Sequence, residues 1–202
     1  MSSPLDPEDD AVAEFVAVMR RLRAECPWKQ EQTHRSLVRY LLEETYETVD
    51  AIDEAEASGD FGHLAEELGD LLLQVVFHAV IAEERGDFSL DDIARGITAK
   101  MRRRNPHVFA STDDDLTADE VDERWQRIKA AEQPAPSELP SALPALLYAD
   151  KTLARRERAG LPVDLATDSA DLGERLLALV AEARAEGVDP EQALRDAVRR
   201  RQ

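Results

Sequence analysis

Glu43-Glu44-Thr45-Tyr46-Glu47 and, after nineteen intervening residues, Glu67-Leu68-Gly69-Asp70 decide how this chain reads. Glu44 with Glu47, and Glu67 with Asp70, are carboxylate pairs spaced i,i+3, so each pair projects from one side of one helical turn. The pairs lie symmetrically about position 57, just before the turn signal Ser58-Gly59-Asp60. A hairpin folded there brings Glu44 level with Asp70 and Glu47 level with Glu67. These acids face into helices that are otherwise apolar. Buried carboxylates that face one another repel, and loss of water penalises each one. A bound cation relieves both costs.

Working outward, the residues predict an all-α chain. Helical spacing of Val12, Phe15, Val16, Met19 and Leu22 predicts a first helix over about 8–24. Cys26-Pro27-Trp28 ends it, and a loop through His34 follows. The second helix covers about 36–57, with Leu37, Leu41, Thr48 and Ile52 on its apolar arc and Glu44 in the middle of that arc. The third, about 61–84, is apolar nearly all round, as expected of a central or interface helix. It keeps one polar seam, Glu67, Asp70, Gln74 and His78, which needs partners. Ser89 with Asp92, and Thr117 with Glu120, read as capping boxes that open a fourth and a fifth helix. Asn105-Pro106 ends the fourth.

Four prolines between 132 and 144 mark a linker. A helix over 145–158 and a last helical region over about 169–200 follow. Leu172-Gly173-Glu174-Arg175-Leu176-Leu177 repeats Leu68-Gly69-Asp70-Leu71-Leu72-Leu73, and no acidic helix precedes it. The expected domains are therefore 1–131, a linker at 132–144, and a shortened second copy over 145–202 that lacks half the acidic site. Two unrelated Leu/Arg-rich helices are the alternative.

The 202 residues suit one ordinary domain with an appendage. Hydrophobic content of 43% and charged content of 34% fit a soluble globular protein. A net charge of −18 argues against nucleic acid and anionic membranes as partners. The lone Cys26 permits no intrachain disulfide and no cysteine metal site. The acidic start lacks the apolar run of a signal peptide, and the run 71–77 is too short to span a bilayer, so a cytoplasmic location is expected.

Carboxylates without cysteine select hard cations, Mg²⁺ or Mn²⁺. A di-iron bundle would need two inward Glu-x-x-His motifs, and only Glu31 with His34 has that spacing. Mg²⁺ on carboxylates usually serves phosphates. Lys100 and Arg104 lie i,i+4 on one helix, and Trp125 and Lys129 i,i+4 on the next, and they are candidates for the other half of a phosphate site. A carboxylate not saturated by metal can orient or deprotonate the attacking water. The plainer reading of the acids is an ion-pair network; that of Lys100 to Arg104 is complementation of the helix dipole. Trp125 reads as core or as a stacking platform, and Trp28, in its polar loop, as either.

The acidic signature resembles the EExxE…ExxD pattern of the MazG nucleoside triphosphate pyrophosphohydrolases. Cys26-Pro27-Trp28, Gln32-Thr33, Gly69-Asp70-Leu71-Leu72 and Arg104-Asn105-Pro106-His107-Val108-Phe109 extend the resemblance, which runs from about 12 to 131 and resumes at Leu139. It implies an all-α helical bundle that assembles as a homodimer. It also implies Mg²⁺-dependent cleavage of an NTP or dNTP between the α and β phosphates, giving NMP and pyrophosphate. By motif position the metal ligands are Glu44, Glu47, Glu67 and Asp70. Glu43, Glu44 and Lys100 are the expected catalytic residues, and Trp28, Lys100, Arg104, Trp125 and Lys129 the substrate contacts. Removal of non-standard or damaged nucleotides is the implied role. The rivals are a non-catalytic helical regulator that keeps the acids, and a related dUTP or phosphoribosyl-ATP pyrophosphohydrolase.

Overall fold

A computed structural model describes residues 10–110, 116–132, 138–161, 163, 165 and 169–201. Those residues form ten α-helices and no strand. The chain divides into two compact units, Met1–Trp125 and Gln126–Gln202. The division falls inside a helix and not in the proline-rich stretch, whose residues 133–137 lie outside the described ones.

In the first unit, α1 (Ala11–Glu25) is capped by Asp10, whose carboxylate accepts from the backbone N–H of Val12 and Ala13. The expected start at residue 8 lies outside the described residues. The stretch after Cys26, expected to be a loop, holds a short helix, α2 (Pro27–Glu31). Proline at its first position explains both the break and the new start: it has no N–H to continue α1, and the first residue of a helix needs none. α3 (Val38–Ser58) and α4 (Gly62–Glu83) form the expected hairpin. Gly59 adopts φ 77°, and its N–H donates to the Ala55 carbonyl at 2.8 Å. Asp60 then accepts from Gly62 N–H at 2.9 Å, which starts α4.

The hairpin packs on small residues. Thr48, Ala51 and Ala55 are the buried positions of α3, while Ile52, expected in the apolar arc, is 43% exposed. Thr48, Ala51 and Ala55 continue the i,i+4,i+7,i+11 row that starts at Glu44, so that row faces α4. The main core lies at the other end. Val16 and Met19 of α1, Leu37, and Val76, Phe77, Val80 and Ile81 of α4 form one buried cluster. Paired charges tie α1 to the end of α4: Arg20 forks onto Glu83 at 2.9 Å twice, and Arg23 onto Glu84 at 2.7 and 3.0 Å. Arg23 also donates to the carbonyls of Lys29 and Gln32, which pins α2.

α5 (Leu90–Arg104) opens on the expected box, with Ser89 and Asp92 each satisfying the other's backbone N–H at 3.2 and 2.9 Å. A four-residue α6 (Pro106–Phe109) follows, and then α7 (Ala118–Glu132), where Thr117 and Glu120 make the second box. The second unit holds α8 (Ala145–Arg158), α9 (Leu172–Ala185) and α10 (Pro190–Arg199), so the last helical region is two helices. Gly187 breaks it at φ 72°, and Val188 N–H donates to Ala183 O at 2.8 Å. The turn after α4 is bonded alike: Gly86 has φ 72°, and Asp87 N–H donates to Ala82 O at 3.1 Å.

Phe77 is 1% exposed and Phe109 59% exposed. Replacing Phe77 by Ala is expected to lower unfolding stability by about 3–5 kcal/mol in urea melts followed by circular dichroism. Phe109→Ala is expected to change it by no more than about 0.5 kcal/mol. Equal costs for the two would contradict the placement of the core.

Candidate functional site

The α3–α4 hairpin sets three acids around one point. Glu44, Glu67 and Asp70 each offer an oxygen within 4.8 Å of the other two. Glu44 and Glu67 are half-buried and Asp70 is exposed, so the cluster opens to solvent on one side. Glu67 Oε2 is sealed from water and accepts no hydrogen bond, while Oε1 lies 3.5 Å from His63 Nδ1. The Thr48 hydroxyl donates to the Glu44 carbonyl at 2.7 Å and stands 3.5 Å from the Glu67 carbonyl, tying the two helices at the level of the acids.

Burial pushes the Glu44 carboxyl above the usual range, and the charges of Asp70, Glu47, Glu67 and Glu43 push it further. Every charge acting on Glu44 is therefore negative. Three convergent acids, one of which also carries a buried oxygen without a donor, fit a hard divalent cation. Glu47 is exposed and outside the three-oxygen group, although its charge reaches Glu44. Thr48 holds the facing position expected for it. Glu43 is exposed beside Glu44.

The expected substrate contacts fall in three places. Trp28, 47% exposed, sits in the first turn of α2 and meets Tyr40 edge-on at 5.9 Å. The Lys29 ammonium lies 5.5 Å from the Trp28 ring centre and 5.0 Å from that of Phe77, which rests α2 on α4. Arg104 is buried, with its guanidinium 5.0 Å over Trp125, so these two expected contacts do meet; Lys100 is exposed one turn earlier on α5. Lys129 is exposed on α7, within the second unit.

One feature escaped the sequence reading. His34 Nδ1 and His78 Nδ1 lie 2.7 Å apart, with ring planes 7° from parallel and ring centres 5.1 Å apart. The two nitrogens face each other at hydrogen-bond distance, and the tautomers set which ring donates. The seam of α4 announced that His78 needed a partner, but the partner is 44 residues upstream. Gln74, in the same seam, is buried with its Oε1 unpartnered.

The span 32–109 matches the model of the MazG nucleotide pyrophosphohydrolase domain. A relative from Thermotoga maritima, a nucleoside triphosphate pyrophosphohydrolase/pyrophosphatase MazG, is 36% identical over 93% of this chain and 81% of its own length. The chain belongs to the MazG family. An uncharacterized 26.1 kDa protein of Streptomyces cacaoi is 45% identical over 91% of this chain and 76% of that one. A nucleoside triphosphate pyrophosphohydrolase of Mycolicibacterium smegmatis is 42% identical over 82% of this chain, which spans only 52% of that protein. The MazG-matching span contains Glu43, Glu44, Glu47, Glu67, Asp70, Lys100 and Arg104; Trp28, Trp125 and Lys129 lie outside it.

Two stability outcomes follow from these charges. Glu44→Gln removes a carboxylate that the folded state disfavours, so without divalent cations its melting temperature is expected to exceed wild type by a few degrees. The same variant is expected to lose most of the stabilisation that Mg²⁺ or Mn²⁺ gives wild type in thermal melts. A cation shift equal to wild type would contradict the cluster as a cation site. His78 is held below the ordinary imidazole range, first by burial and then by His34. Its stability contribution is then present above the unfolded pKa of about 6.5 and lost as pH falls through and below that value. The drop in urea stability between pH 7 and 5.5 is expected to shrink in His78→Asn, and an unchanged drop would remove His78 as its source.

Proposed function

We propose that this chain hydrolyses nucleoside triphosphates, ribo or deoxyribo, to the monophosphate and pyrophosphate. The observation that supports this most is the convergence of Glu44, Glu67 and Asp70, with one orphaned oxygen, inside the span that matches the MazG domain. Glu44, Glu67 and Asp70, joined by Glu47 through a change of side-chain rotamer, would hold Mg²⁺, with Mn²⁺ as a substitute. The ion would neutralise charge on the phosphate oxygens it touches. Glu43, beside the cluster and exposed, orients the attacking water and accepts its proton. Lys100 and Arg104 supply positive charge for the departing pyrophosphate. Trp28 and Trp125 offer aromatic faces for the base.

Homodimer assembly is part of the same reading. Leu68, Leu72 and Val75 form a stripe on α4 that is 51%, 40% and 41% exposed, and Val38 and Leu42 add exposed apolar surface on α3. A second copy packed on the hairpin covers that surface. The second unit reads as a shortened repeat of the first, supported by its matching turn at Gly187, and it lacks the acids needed to hold metal. Removal of non-standard or damaged nucleotides from the pool is the role that goes with this reading, and a substrate panel measures the preferred base.

Pyrophosphate release from a panel of NTPs and dNTPs, with dUTP, phosphoribosyl-ATP and damaged nucleotides included, tests the reading. Wild type with Mg²⁺ is expected to release pyrophosphate, and Glu44→Gln or Asp70→Asn to lose about 100-fold or more. Near wild-type rates in either variant would contradict the ligand assignment. No release from any substrate, with Mn²⁺ also tried, would leave a non-catalytic helical module.

A further inference from the structure

The acids on α3 continue into an aromatic corner. Tyr40, Glu44 and Glu47 stand at i, i+4 and i+7, so the Tyr40 ring shares a row with two of the acids, one turn before Glu44. Trp28 of α2 meets that ring at 5.9 Å with the ring planes 80° apart, so the two rings make a right-angled corner and not a stack. Trp28 is 47% exposed and Tyr40 half-buried. The Tyr40 hydroxyl makes no hydrogen bond among the described residues. Fastening α2 does not require the pair, because Arg23 already donates to the carbonyls of Lys29 and Gln32.

The charges around the corner say what it takes. Between Cys26 and Leu42 the chain carries Lys29, Arg35 and Arg39 against one acid, Glu31, whereas the whole chain has a net charge of −18. Among the described residues none of these three cations takes part in an ion pair. Two of them lie on the rings: the Lys29 ammonium is 5.5 Å from the Trp28 ring centre, and the Arg39 guanidinium 5.1 Å from that of Tyr40. Aromatic rings and unpaired cations, one helical turn from a cluster of acids, suit a ligand that is flat and aromatic at one end and anionic at the other. A nucleotide has that form. An exposed cation–π contact is weaker than the stacking of a base on an aromatic ring, so a base can take the place of Arg39 over Tyr40. The displaced guanidinium can then stack on the outer face of the base.

We propose that the Trp28–Tyr40 corner receives the base of the nucleotide and that Tyr40 is the ring on which the base stacks. This rests on the hydrolytic reading above and adds Tyr40 and Arg39 to its substrate contacts.

The test uses the full chain with Mg²⁺ and two kinds of ligand. One is a nucleoside triphosphate, purine or pyrimidine, with nitrogen bridging its α and β phosphates so that it resists hydrolysis. The other is inorganic tripolyphosphate, which has the phosphates and no base. In calorimetry, Tyr40→Leu is expected to weaken binding of both nucleotide analogues about tenfold or more, and to leave tripolyphosphate within about twofold of wild type. Tyr40→Phe, which keeps the ring, is expected to stay within about twofold for every ligand. A second measurement leaves Tyr40 in place. In Trp125→Phe, Trp28 is the one tryptophan left, and a saturating nucleotide analogue is expected to quench or shift its emission while tripolyphosphate does not. Unchanged nucleotide affinity in Tyr40→Leu, an equal loss for tripolyphosphate, or unchanged Trp28 emission would each overturn the proposal. If wild type still releases pyrophosphate, any of those results removes the base corner and keeps the hydrolytic reading. A wild type that neither binds nor hydrolyses any nucleotide removes both.

Discussion

Three carboxylates held within 4.8 Å of one another are a repulsive arrangement, and the fold has to supply the force that keeps them there. That force is the packing of α3 on α4. Thr48, Ala51 and Ala55 allow the two helices to approach closely, and the turn at Gly59 fixes their register. With the register set, Glu44 has no choice but to meet Glu67 and Asp70. The main core, around Met19, Leu37 and Phe77, anchors the far end of α4, and the Arg20–Glu83 and Arg23–Glu84 pairs fasten α1 beside it. The destabilising site is thus carried by a hairpin whose stability comes from elsewhere along the same helices. A family of enzymes that bind divalent cations has use for such a cluster, because the ion converts mutual repulsion into shared coordination.

The acids and the basic candidates come from different helices. All charges that act on Glu44 are negative. The basic candidates stand on α5 and α7, where Arg104 rests on Trp125. A chain with a net charge of −18 attracts phosphate only where a local cation offsets that field.

Much of this was legible because it is local. Turn and cap chemistry depends on residues a few positions apart, so Ser58-Gly59-Asp60, the Ser89–Asp92 box and the Thr117–Glu120 box read correctly, and α8 spans 145–158 as expected. The hairpin register followed from the symmetry of the acids. What failed depends on which side of a helix meets its neighbour. Glu47 was expected opposite Glu67, but the row facing α4 runs Glu44, Thr48, Ala51, Ala55, and Glu47 stands about 60° off it. Ile52 gave way to smaller residues for the same reason: close helix approach favours Ala over Ile. The His34–His78 bond joins residues from separate elements, and periodicity carries no information about such a pair.

The claim at the centre of this account is that Glu44, Glu67 and Asp70 are a cation site. Anomalous diffraction from crystals of the full chain grown with Mn²⁺ tests it most directly. The account predicts an anomalous peak within coordination distance of oxygens from all three residues. A saturating Mn²⁺ concentration with no peak there, or with the ion on other residues, would contradict it.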